Sequence, residues 1–397
     1  MTSTRGWFGV PGAIILALSL FCCSSPPKTQ YDAPFKLSYS QVPGFTEDTD
    51  RVLEWGSAAT QQDTGFTVAA SLKAPTGLRI RWLGTAGYEI SDDSTVILID
   101  PFVTRPTFAK MIKPLKIDTG AVNHYVLDSL NLKHVKAILV SHPHHDHFQD
   151  IPYILAQYPD STQRPLVVGT QNVHDLVVGY SDSAGIDWLN LKRGLQDTRT
   201  KVVAVRYDKK SSCEVGTFGN FKITAFPSDH SSYDNLGPTA IGGSIRHTPP
   251  VWSTDYKMRF NTSIGYLIDY RGLRIFVTES PIVRQHRWIG KVAILIQGIA
   301  ARKEHNTIIQ TLASLQPDVV IPTHYDNFFK PLTDFTDFDT QIGFYFLDFS
   351  RFEQFIQSFE SYYVKRARAR VRQNAQRFHP KLRLMKLLYY YSLRELL

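Results

Sequence analysis

Cysteine is scarce in this 397-residue chain: Cys22 and Cys23 stand side by side and Cys213 stands alone. No C-x-x-C pair exists and no disulfide framework can be drawn, which excludes a thiolate metal site and a cystine-stapled scaffold. Long apolar runs are missing too. The stretch from Val10 to Phe21 is about a dozen residues, too short to span a bilayer and of the length of a signal-peptide apolar segment. Acidic residues are absent between Lys365 and Lys386, where nine of the 44 Lys and Arg lie, so the formal charge of +8 belongs to the tail. The remainder sets 35 basic residues against 36 acidic ones and gives no argument for nucleic-acid binding.

The apolar run ends in Phe21-Cys22-Cys23 followed by Ser24-Ser25-Pro26-Pro27. This resembles a bacterial lipoprotein signal and implies export to the cell envelope, with Cys22 lipidated and the protein membrane-anchored or periplasmic; cleavage to a soluble secreted protein and retention as an anchor are the alternatives. The expected organisation is a signal and tether over 1–27, a loop-rich extension over 28–76, the principal domain over 77–345 and basic, amphipathic helices over 346–397. The tail helices are expected to pack on the domain; a basic stretch followed by an apolar, tyrosine-rich one also suits a membrane surface.

The principal domain alternates strand and helix. Strands are expected over Leu78–Leu83 and Thr95–Pro101 before a central strand at Ala137–Val140, with Gly84–Gly87 as a turn. A short helix over Ile151–Tyr158, a strand over Pro165–Gly169 and a helix over Asn172–Tyr180 follow. Further on come a strand over Lys201–Arg206, a hairpin-like pair within Phe218–Phe226, and a hairpin of Thr262–Tyr270 with Leu273–Thr278. A strand over Val292–Ile296, a helix over Asn306–Leu315 and a last strand at Asp318–Pro322 complete the series.

Polar side chains gather where these strands end. The central strand breaks at Ser141 into His142-Pro143-His144-His145-Asp146-His147, an H-x-H-x-D-H pattern. Alternate spacing on a chain leaving a strand lets His142 and His144 converge on one ion, and the Asp146-His147 pair can turn toward a second. Neutral imidazole with carboxylate suits zinc, with iron or manganese as alternatives. His230, Glu279 and His324 stand at other strand ends. A nucleophilic triad from Ser228-Asp229-His230 fails, because its members must converge from separate segments.

Together with WLGTAGYEI, VILIDPF and IPTHYDNF, these residues resemble the metallo-β-lactamase superfamily, and within it the branch of ascorbate-phosphate lactonase-like and N-acylethanolamine phospholipase D-like proteins. The resemblance implies an α/β-layered αββα sandwich with its site on one edge. It assigns His142, His144 and His230 to one metal and Asp146, His147 and His324 to another. The bridging carboxylate would come from Glu279, although the family carries aspartate in Gly-Asp-Thr and this chain reads Thr278-Glu279-Ser280. The implied activity is hydrolysis with two divalent cations, zinc or else manganese or iron, that activate water. Asp146 would orient the nucleophile as well as ligate, with a metal-bound water, Tyr325 or Asp326 as candidate proton donors to the leaving group. A phosphodiester of the phospholipid kind is the expected substrate, a lactone or other acyl ester the alternative, and a non-catalytic metal-binding envelope protein the rival from another class.

Overall fold

The computed structural model describes residues 77–107, 110, 115–159, 163–182, 202–204, 212–228, 230, 263–279, 289–299, 305–334, 381–385 and 387–397. The signal segment, the 28–76 extension and the amphipathic stretch that opens the tail lie outside them.

The described residues form two seven-stranded sheets. In the first, β1 (Arg79–Gly84), β2 (Gly87–Ser91) and β3 (Val96–Ile99) are antiparallel neighbours, and β4 (Val135–Leu139), β5 (Leu166–Gly169) and β6 (Val202–Ala204) continue parallel from β3. In the second, β7 (Cys213–Phe218), β8 (Phe221–Ser228), β9 (Ser263–Tyr270) and β10 (Leu273–Thr278) form an antiparallel meander. From β10 the pairing turns parallel through β11 (Ile294–Gly298) and β12 (Val319–Thr323). The parallel strands read as near-continuous apolar runs, VILI in β3 and VVIPT in β12, and are buried throughout, as strands covered on both faces must be. No helix among the described residues is long and apolar enough to cross a membrane.

Trp82, Tyr88, Tyr266, Tyr270, Phe221 and Phe276 fill the core. Tyr266 also ties the sheets: from β9 its hydroxyl donates to the carbonyls of Val140 (2.8 Å) and Val168 (3.1 Å), just past β4 and within β5. Ile264 N–H, also on β9, donates to Ser141 O at 2.9 Å. These bonds lock the second sheet to the end of the central strand, where the histidine loop begins.

Among the described residues three strands, not two, precede the central strand β4. The additional one is β2, whose Gly-Tyr-Glu-Ile-Ser carries a weak strand signature because Glu89 interrupts it. Glu89 is nonetheless buried, since Arg81 lies opposite it in register and pairs with it at 2.8 Å. The alternation of Arg79 and Arg81 points to a solvated face; only Arg79 has one, while Arg81 sits beneath the Tyr390 ring at 4.7 Å. The hairpin expected within Phe218–Phe226 turns at Gly219-Asn220, with β7 beginning five residues earlier than that range.

Nor is β12 the last strand. Residues expected to be helical in the tail instead give β13 (Lys381–Leu382), parallel to β12, and β14 (Tyr390–Ser392), antiparallel to β1. The tail therefore adds an edge strand to each sheet, burying Leu382, Leu384, Met385 and Leu387 on the way. Among the described residues of the tail only Leu393–Leu396 is helical, started by a capping box in which Ser392 and Glu395 bond each other's backbone. Unpaired edges are costly to leave open, which accounts for strand over helix here.

Candidate metal centre

β4 delivers Ser141 and then His142, which is fully buried. His144 stays extended as the N-cap of a one-turn helix, α2 (His145–Phe148), preceded in the chain by α1 (Thr119–Tyr125). That turn explains the spacing. His142 and His144 leave the extended chain on one side, and the helix carries Asp146 and His147 to the other. His142 Nε2 lies 2.9 Å from His144 Nδ1, and the His230 ring, two residues past β8, lies 4.7 Å from that of His142 and 4.9 Å from that of His144. The ligand atoms of His142, His144 and His230 fall within 4.8 Å of one another.

The second group forms alongside. Asp146 Oδ2 approaches His147 Nε2 (3.7 Å) and His324 Nε2 (3.4 Å), and these three residues also offer ligand atoms within 4.8 Å. The two groups meet where the His142 and His147 rings stand 4.0 Å apart. Glu279, directly after β10, is buried with Oε2 at 4.0 Å from His142 Nδ1. That oxygen has no hydrogen-bond partner among the described residues, and neither has His147 Nε2. A buried carboxylate oxygen and a buried ring nitrogen without partners are costly unless a cation completes them, so the donor set fits divalent metal. Gly298 on β11 lets the Glu279 backbone come close, because a Cβ there would overlap the Glu279 carbonyl.

Electrostatics point the same way. Burial and the neighbouring imidazoles of His147, His144, His230 and His324 hold His142 well below its ordinary value, keeping it neutral as a ligand must be. Burial alone would raise Asp146, yet His147, His145 and His324 hold its carboxyl well below the usual range. Against the opposing effect of burial, the Asp146 and Asp100 carboxylates raise His147 to about 9. Binding a cation at His147 therefore releases a proton.

Two supporting residues went unread in the sequence. Asp100, following β3 with φ +41°, accepts from Ser141 N–H (2.8 Å), Ser141 Oγ (2.6 Å) and His147 Nδ1 (2.9 Å). A proton on Nδ1 leaves the Nε2 lone pair facing the site. Asp150 Oδ2 accepts from the amides of Val103 (2.7 Å) and Thr104 (2.8 Å), pinning the loop after β3. The readable signal for Asp100 is its place at the carboxyl end of the strand beside the histidine strand.

Asp326 does not fit the proton-donor role, because its carboxylate is engaged by Arg105 and by the Thr85 amide. Tyr325 packs its ring against Trp82, with centroids 5.0 Å apart. His145 is buried edge-on between Phe102 (6.1 Å) and Phe328 (6.2 Å), outside both triads. His124, His134 and His174 belong to neither triad.

A two-sheet sandwich that gathers these imidazoles and carboxylates at the carboxyl ends of its strands is the architecture of a metal-dependent hydrolase. The model of the β-lactamase superfamily domain matches residues 79–324, from the start of β1 to the last histidine of the second triad, and the chain belongs to that family. A UPF0173 metal-dependent hydrolase of Cereibacter sphaeroides is 24% identical over 261 residues, 63% of this chain and 87% of that one. Its namesake in Paracoccus denitrificans is 24% identical over 263 residues with the same coverage. Among solved structures, Igni18, a metallo hydrolase of Ignicoccus hospitalis, is 13% identical with a TM-score of 0.43, spanning 80% of this chain and 98% of that one.

Proposed function

We propose that this hydrolase binds two divalent cations, zinc in the first instance, and cleaves a phosphodiester of the phospholipid kind. The observation that carries the reading is the adjacency of the two triads, with a Glu279 oxygen at the edge of the first that has no hydrogen-bond partner among the described residues. His142, His144 and His230 would hold one ion and Asp146, His147 and His324 the other, with Glu279 within reach of the first. Paired cations supply an activated water nucleophile and a Lewis acid, and such a pair suits in-line displacement at phosphorus because it stabilises both attacking and leaving oxygens.

The chain's own part is to orient and to exclude water. Asp100 fixes the His147 ring, Asp146 stays ionised, and Phe102 and Phe328 flank the loop with apolar surface. We also propose, from the Val10–Pro27 sequence alone, that the protein is exported and tethered at the cell envelope.

The test is the initial rate of zinc-loaded protein on a chromogenic phosphodiester beside a His142→Ala control. Turnover lost in the control supports the reading. Turnover of lactones or acyl esters instead, with none on the phosphodiester, replaces the substrate class and leaves the metal centre in place.

A further inference from the structure

His324 reaches the second triad in a backbone conformation that side chains disfavour, with φ +62°. Its support comes from the opposite end of the domain's sequence. Thr85, in the turn after β1, is itself left-handed at φ +50°, and its carbonyl accepts from His324 N–H (2.9 Å), Thr323 Oγ1 (2.6 Å) and Trp82 Nε1 (3.1 Å). Two strained residues thus hold each other, which persists only when the surroundings over-determine both.

The surroundings are a buried ion pair. Asp326 Oδ1 accepts from Thr85 N–H at 2.8 Å, Asp326 Oδ2 lies 3.0 Å from Arg105, and Arg105 also donates to Thr85 Oγ1 at 3.1 Å. The Arg105 and Asp326 side chains are 3% and 0% exposed. Gly84 has φ +99°, and a Cβ on it would collide with the guanidinium, so the turn is shaped to admit Arg105. The ring closes on itself: Asp326, two residues beyond His324, grips the turn that grips His324. No part of this network belongs to either triad.

We propose that Asp326, Arg105 and Thr85 are positioning residues that set the His324 backbone, and through it the affinity of the Asp146–His147–His324 site for its ion. This rests on the metal-site reading above. Partners of this kind govern affinity by fixing how a ligand is presented.

The experiment is competition of zinc between the full-length chain and a chromophoric chelator, resolving two affinities per chain, with the melting temperature of the zinc-free protein recorded beside it. Asp326→Asn keeps the acceptor for the Thr85 amide and removes the charge facing Arg105. It is expected to weaken one affinity by about 10–100-fold and leave the other within about twofold. A merely structural role lowers the melting temperature without separating the two affinities; both falling together, or neither moving, overturns the proposal. Should Asp326→Asn not fold, Thr85→Val removes only the hydroxyl and is judged by the same two outcomes. His324→Ala is the reference. If it loses one ion while the network variants lose none, the positioning inference alone fails; if it keeps both, the metal-site reading fails and takes the inference with it.

Discussion

Asp100 offers the sharpest test of how the centre is held. Its carboxylate accepts three buried donors, the Ser141 amide, the Ser141 hydroxyl and His147 Nδ1. Asp100→Asn preserves size and one oxygen, but the amide NH2 cannot accept from both the hydroxyl and the imidazole. His147 then gains by moving its proton to Nε2, the atom that must ligate. Loss of such a partner weakens metal binding by about 10–100-fold, or roughly 1.4–2.7 kcal/mol. Asp100→Ala goes further and strands all three donors, each at about 1–3 kcal/mol, so a loss of several kcal/mol is expected from a total of about 5–15. Zinc competition reads the first variant and urea denaturation of the zinc-free protein the second. Unchanged zinc affinity in Asp100→Asn would refute the orienting role of the carboxylate, and would pass that role to the Ser141 hydroxyl, 3.2 Å from His147 Nδ1.

Other outcomes follow from single contacts. Gly298→Ala places a methyl group into the Glu279 carbonyl, so zinc content should fall and stability with it by about 1–3 kcal/mol; a variant with wild-type metal content would show that Glu279 does not depend on β11. Asp150 is raised by burial from 3.8 to about 6, against the pull of its amide donors and Arg105. The stability this contributes is fully present below pH 3.8 and is lost as pH rises through about 6, a swing of up to about 3 kcal/mol, and Asp150→Asn should abolish that slope in urea midpoints measured across the range. Leu382→Ala in β13 should cost about 2–5 kcal/mol by the same assay, whereas a tail not packed on the sandwich would show less than about 0.5.

The centre was legible because its chemistry concentrates in one loop and at strand ends, where residue type and position agree. H-x-H-x-D-H needs only the turn after β4 to split its donors, and Glu279 and His324 were readable as polar residues closing apolar strands. What escaped depended on partners far away in sequence. Asp100 matters because Ser141 and His147 turn toward it, and Thr85 because His324 lies against it across 239 residues. Arg81 is buried only because Glu89 and Tyr390 meet it there. The tail misled for a different reason: LRLMKLLYYY satisfies helical spacing through its leucines, and the open edges of two sheets outweigh that local preference. Asp326 follows the last histidine closely enough to suggest catalysis, yet Arg105 claims its carboxylate.

The central claim is a two-cation site made by two triads. Metal content by mass spectrometry of the purified, zinc-saturated chain tests it most directly, alongside His142→Ala and His147→Ala. The account predicts two ions per chain, with at least one lost in each variant. A single ion, or full occupancy retained in both variants, would contradict it.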